Sequence, residues 1–277
     1  MGVEVSVALG AYVRRERDRL VSREPLVRRN RSEAVKAMRN AARRLGSVWC
    51  ALEETGSPDT GLVADCSWLR EHLSAVRHLD VTGQRVLEHP AMTGAPAQWA
   101  AERLARSRDP ARRELVRILD GPRYKAFVAA LDAKADGPVP EAAAGLGDRF
   151  RAAWRPLVEE LAAASAIGDD DARADALHEV RKRAKPMLDT GRGVERAYPE
   201  LLRHPLRVLA ALQGLLGEHQ DSTVCRHTLL EWAGEAPDGH VREALYGLVE
   251  HERAAAAAVE ARLPALYTEL STLRFGR

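Results

Sequence analysis

The sequence predicts an all-α protein of two bundle-like halves, and three observations carry that expectation. Apolar residues recur three and four positions apart through most of the chain, as in helices that bury one face. The composition rests on Ala, Leu and Val with few aromatics, and on Arg, Glu and Asp for most of the remainder, which favours helical bundles over strand-rich folds. A pattern of basic and apolar positions near residue 40 returns 142 residues later. Such a return predicts a duplicated helical unit, its halves related by a pseudo-twofold axis.

The breaks between helices are legible as clusters of glycine and proline. GSPDTG (56–61), HPAMTGAP (89–96), DGP (120–122), ADGPVP (135–140) and IGDDD (167–171) read as bundle loops. Ser32 precedes an acidic first turn at Glu33, and Pro110, Pro122 and Pro205 mark expected helix starts, where a missing amide hydrogen is tolerated. About ten helices follow. ADGPVP is the least periodic break and falls almost at the midpoint, so the 277 residues read as one domain of two halves, 1–135 and 141–277.

The three cysteines, Cys50, Cys66 and Cys225, are odd in number and far apart, with neither C-x-x-C nor zinc-ligand spacing. Free thiols in a reducing cytoplasm are expected. The first residues lack the basic segment and uninterrupted apolar stretch of a signal peptide. No run of about 18 apolar residues occurs, so no membrane-spanning helix is expected.

Lys and Arg number 42 against 40 Asp and Glu, so any case for an anionic partner rests on where charges lie. The duplicated segment is where they lie. Val35 to Leu45 aligns with Leu177 to Met187, pairing Lys36 with His178, Arg39 with Arg181 and Arg43 with Lys185. At about 100° per residue each trio falls on one strip of its helix, beside an apolar stripe. A weaker match at an offset of 143 sets Arg77 opposite Gln220. From Arg14 to Arg44 there are 12 Lys or Arg against 4 Asp or Glu, so neighbours along the helix do not neutralise them all.

Two basic rows facing each other across a groove would suit a linear polyanion. Arginine offers a planar fork to phosphate oxygens, lysine a mobile point charge, and a charged imidazolium is favoured beside phosphate. The plainer reading of any one basic helix is a solvated face, the usual fate of Lys and Arg. The tryptophans, Trp49, Trp68, Trp99, Trp154 and Trp232, sit in amphipathic stretches and are expected in the core or at a groove rim. His78 and His219 are expected to be structural hydrogen-bonding groups.

LHEVRKRAK (177–185), with VKAMRNAARRL (35–45) as its first-half counterpart, resembles the motif of the CHAD (conserved histidine α-helical domain) family. Leu215 to Asp221 is similar to that family's L-G-x-x-Q-D segment, and Arg77 to Val81 to its R-D-L-D-V segment. Pro122 to Lys125, before another helix, extends the likeness, which covers residues 5–275. The resemblance implies a helical fold of two four-helix-type bundles with internal symmetry whose basic central surface binds inorganic polyphosphate, and, for some members, association with polyphosphate granules. On it, Arg39, Arg43, Arg181, Lys182 and Lys185 are expected to contact phosphate, with Lys36 and His178 at equivalent positions. Arg44, Arg77 and Arg123 form a second tier.

The chain departs from that pattern at four places. Lys36 stands at the family's first histidine, Asn40 at the following valine, and Gly46 and Pro186 at basic positions. Gly46 and Pro186 therefore predict the loss of two cations, and Pro186 a kink or an end to the second basic helix.

No catalytic residue, metal or cofactor is expected. A triphosphatase would need alternating glutamates on a strand, a di-iron bundle paired Glu-x-x-His motifs, and neither pattern is found. H-E-x-x-H, a glycine-rich phosphate loop and G-x-S-x-G are also missing. Nucleic acid or another phosphate polyanion is the nearest alternative ligand, although no aromatics interleave the basic helices for base stacking. A helical scaffold for protein partners is the other alternative.

Overall fold

The computed structural model describes residues 2–57 and 60–273. Pro58 and Asp59 of the expected GSPDTG loop lie outside them. The described residues form ten α-helices and one short 3₁₀ turn, with no strand. The first half holds α1 (Gly2–Arg28), α2 (Ser32–Glu54), α3 (Leu62–Leu87), α4 (Gly94–Asp120) and α5 (Pro122–Ala135). After the 3₁₀ turn Glu141–Gly145 come α6 (Leu146–Ser165), α7 (Asp170–Val194), α8 (Pro199–Gly234), α9 (Gly239–Glu260) and α10 (Leu263–Thr272). No helix among the described residues is long and apolar enough to cross a membrane.

Local chemistry accounts for several boundaries. The Asp169 side chain accepts from the Ala172 amide at 2.9 Å and opens α7, whose first turn carries Asp170 and Asp171. Asp238 caps α9 in the same way, through the Val241 amide. Pro122 stands at the first position of α5, as expected.

Three prolines depart from expectation. Pro110 lies inside α4, Pro205 inside α8, which begins instead at Pro199, and Pro186 inside α7, which continues to Val194. Pro110 and Pro186 are solvent-exposed, where the carbonyl a turn earlier can tilt towards water when it loses its amide partner.

The order of packing neighbours is the same in both halves. In the first, α1 packs on α2, α2 on α3, α3 on α4, α4 on α5, and α5 returns to α1; in the second, α6 to α10 follow the same circuit. Contacts between the halves include counterparts, α2 with α7, α3 with α8 and α4 with α9, and also α1 with α7 and with the 3₁₀ turn. The apolar interior is shared between halves. The main cluster runs from Leu9 and Leu20 through Met38, Leu45, Leu73 and Phe127 to Leu161, Leu177, Leu209 and Leu270. A separate cluster, with Val86, Leu104, Leu229, Trp232 and Leu245, fills the end where α3 and α4 meet α8 and α9. Trp49, Trp154 and Trp232 are buried and Trp68 and Trp99 partly so, as expected. His219 is buried against Glu260 at 2.8 Å, a structural hydrogen bond.

Four buried carboxylates are each answered by arginine from another helix: Glu16 by Arg44, Asp80 by Arg108 and Arg112, Asp189 by Arg43, and Glu252 by Arg85. Breaking such a pair leaves an uncompensated buried charge, so these contacts fix how the helices register.

Candidate functional site

The contact of α2 with α7 brings together the duplicated basic strips. Arg39 and Arg43 come from α2, Arg181 and Lys185 from α7, and all four are partly buried. Among the described residues no carboxylate forms an ion pair with Arg39, Arg181 or Lys185, and two carboxylates act on the group. Asp189 is fully buried and bonded to Arg43; Asp221 of α8 acts electrostatically on Arg39 and Arg181.

This concentration of positive charge away from water has a titration signature. Burial, with Arg43, Arg181 and Arg70 nearby, holds the Arg39 pKa down to about 10. Burial and the three neighbouring arginines, Arg181, Arg43 and Arg39, bring Lys185 down to about 7, against a weaker pull from Asp189. Arg43 and Arg181 are also lowered, chiefly by burial. His178 is lowered by burial, while its hydrogen bond to Gln220 opposes the shift. Each of these groups is more easily charged when an anion arrives.

Neighbouring helices shape the walls. Arg39 Nε donates to Ser74 Oγ of α3 at 2.7 Å. Arg77, one turn on from Ser74, reaches Ser32 Oγ at 3.5 Å, so it stands at the N-terminal end of α2. On the opposite side, Gln213 Nε2 of α8 donates to the Arg181 carbonyl at 3.1 Å. The Arg181 guanidinium lies over Gly217, its Nη2 3.7 Å from where a Cβ would stand. Ser74 and Gly217 are 143 residues apart, as are Arg70 and Gln213, which is the offset of the weaker sequence match.

The remaining expected residues divide. Lys36 and Lys182 are exposed and engaged by carboxylates one turn away, Lys36 with Glu33 at 3.6 Å and Lys182 with Glu179 at 2.9 Å. Arg44 leans towards α1, where Glu16 holds it at 3.0 Å and also takes Arg19 at 2.7 Å, while its Nε stays 4.0 Å from Asp189. Arg123 stands apart on α5: it pairs with Asp65 at 2.9 Å and covers the Trp68 ring at 4.3 Å. Of the Arg14 to Arg44 cations that neighbours along the helix do not neutralise, Arg44 and Arg43 are answered across helices by Glu16 and Asp189.

Gly46 and Pro186 lie against other elements. A Cβ on Gly46 would meet Cys66 Cβ at 3.0 Å, so the position serves close contact of α2 with α3. Pro186 faces a cavity of 230 Å³ against α6, lined by Cys50, Phe150 and Met187. Neither lies among the four cations.

Sequence reasoning missed Arg70, Asp189 and Glu16. Arg70 was detectable, since it lies seven positions before Arg77 and so on the same face of α3. The two carboxylates gave no comparable signal, because each acts on an arginine distant in sequence.

An all-helical domain with a half-buried cationic cluster where α2 and α7 meet is the class of protein these features define. The CHAD domain profile matches residues 11–230, and the chain belongs to that family. The crystal structure of the CHAD domain from the plant Ricinus communis is similar with a TM-score of 0.72 at 24% identity, covering 99% of this chain and 93% of that one. PptA from Streptomyces chartreusis is similar with a TM-score of 0.73 at 19% identity, over 97% and 99% of the two chains. Both likenesses are of fold. Rv2226 of Mycobacterium tuberculosis, an uncharacterized protein, is 28% identical over 245 residues, 82% of this chain; the chain spans about half of that relative's length, 46%.

Proposed function

We propose that the chain binds inorganic polyphosphate, without catalysis and without a metal or cofactor, in the groove between α2 and α7. The observation that carries this reading is the convergence of Arg39, Arg43, Arg181 and Lys185, which outnumber the carboxylates acting on them and depress one another's charge. A linear polyanion would relieve that repulsion along its whole length, whereas a single carboxylate would answer one cation. His178 and Lys36 sit one turn further along the two strips, and Arg70 and Arg77 provide cations from α3. Lys182 and Arg44 contribute less, since carboxylates already engage them, and Arg123 contributes nothing at this groove. Family membership supports the reading. The two halves, about 1–135 and 141–277, act as equivalent walls related by a pseudo-twofold rotation, and the protein works in the cytoplasm, at polyphosphate granules where these form.

Titration calorimetry with long-chain polyphosphate at two salt concentrations, with single-stranded RNA of matched charge as competitor, tests this. Salt-sensitive binding that RNA fails to displace is expected. Equal binding of RNA would make the groove a general polyanion site, and no binding would remove the function.

A further inference from the structure

The basic strip of α7 does not stop at the central cluster. Arg181, Lys185, Asp189 and Arg192 fall within an arc of about 80° on one face of the helix, and Arg196 follows in the turn just past its end. Asp189 is buried beneath Arg43, and Arg192 is close enough to lower the Arg43 pKa, so positive charge continues past the carboxylate.

At the far end lie two depressions that share Arg192 and Glu195. One, of 180 Å³, is lined by Arg15, Arg192 and Arg196 beside α1. The other, of 560 Å³, holds Arg192, Arg203 and Arg207 at the start of α8. The positive end of that 36-residue helix opens into the second depression through Pro199 and Glu200. Elsewhere on the surface arginines are typically engaged, as Arg17 is by Asp132, Arg28 by Asp120 and Arg103 by Glu235. Among the described residues no carboxylate forms an ion pair with Arg192, Arg196, Arg203 or Arg207, although Glu195 and Glu200 line the depressions.

We propose that Arg192, Arg196, Arg203 and Arg207 form a second phosphate-binding patch, which takes the distal part of a long polyphosphate whose other part occupies the α2–α7 groove. The inference rests on the function proposed above and extends it to chain length. From Arg181 to Arg192 is 11 residues of α7, about 16 Å at about 1.5 Å per residue, and Arg196 lies beyond the end of the helix. A short oligophosphate held among Arg39, Arg181 and Lys185 does not reach the patch; a long chain does. The second site then acts by effective concentration, strengthening long chains over short ones.

The test compares tripolyphosphate with long-chain polyphosphate on the full chain, titrated against the wild type, R196A/R203A/R207A and R39A/R181A. The triple variant removes exposed or half-exposed side chains with no ion-pair partner, and an unchanged melting curve verifies its fold. It should bind tripolyphosphate as the wild type does and long chains at least about tenfold more weakly, with a salt slope shallower by about two, at about 0.7 per lost phosphate contact. Unchanged long-chain affinity, or an equal loss for both ligands, overturns the second patch. R39A/R181A should lose both ligands. Retained long-chain binding there, abolished in the triple variant, would refute the groove and leave the patch standing; a wild type that binds neither ligand refutes both.

Discussion

Arg43 of α2 donates a hydrogen bond to the Asp189 carboxylate of α7, and the same carboxylate oxygen accepts from Ser47 Oγ at 3.2 Å. These residues join the halves beside the cation cluster, in a place where Asp189 has no exposure to solvent. Burial raises the Asp189 pKa, and Arg43 and Arg44 oppose that rise. The pair fixes the crossing of α2 on α7 and leaves the other cations free for ligand.

Removing one partner should therefore be costly. Asp189→Ala is expected to lower unfolding stability by about 3–5 kcal/mol, whereas the apolar double replacement R43M/D189L should cost much less. Chemical denaturation of both variants distinguishes them. Equal losses would mean that packing, and not the stranded charge, dominates.

Replacing Arg39, Arg181 and Lys185 together by alanine should abolish polyphosphate binding with helicity retained, Arg43 being kept because it answers the buried Asp189. For the milder Arg39→Ala, affinity should fall and the slope of log affinity against log salt should drop by about 0.7, one lost phosphate contact. Binding that survived the triple change would place the ligand elsewhere.

The depressed Lys185 gives binding and stability opposite pH dependences. A polyanion raises its pKa from about 7, so binding takes up a proton and affinity should decline as pH rises through 7. His178, also lowered in the free protein, acts in the same direction at lower pH. For the ligand-free fold the sign reverses: the unfolded chain binds more protons than the folded one between about 7 and the ordinary lysine value of about 10.4, so the Lys185 contribution to stability grows across that range. Calorimetry in buffers of different ionisation enthalpy measures the proton uptake. A release of protons on binding would contradict the assignment of Lys185 to the site.

Arg123→Ala should leave polyphosphate affinity within about twofold of wild type and lower stability by no more than about 1 kcal/mol, as for an exposed pair. A large loss of affinity would bring α5 into the binding surface.

The basic strips, the repeat that pairs Arg39 with Arg181, and the helical class were legible because each depends on spacing along a single helix. What escaped the sequence depends on contacts between helices. Arg43 and Arg44 are adjacent and alike in sequence, but a turn of about 100° sends one towards Asp189 beside the cluster and the other towards Glu16 of α1. Gly46 looked like a lost cation because its closeness to Cys66 has no sequence signal. Pro110, Pro186 and Pro205 misled for a related reason: whether proline ends a helix depends on the face it occupies and the packing beyond it.

The apolar residues at the α3–α4 and α8–α9 end form their own cluster, apart from the one beneath the cations. Opening of that end need not disturb the main interior, so amide hydrogens of Leu229 and Leu245 should exchange with deuterium in a cooperative step of their own. Amides of Leu45 and Leu177, beside the basic strips, should exchange only with global unfolding, and polyphosphate should slow the second process more than the first.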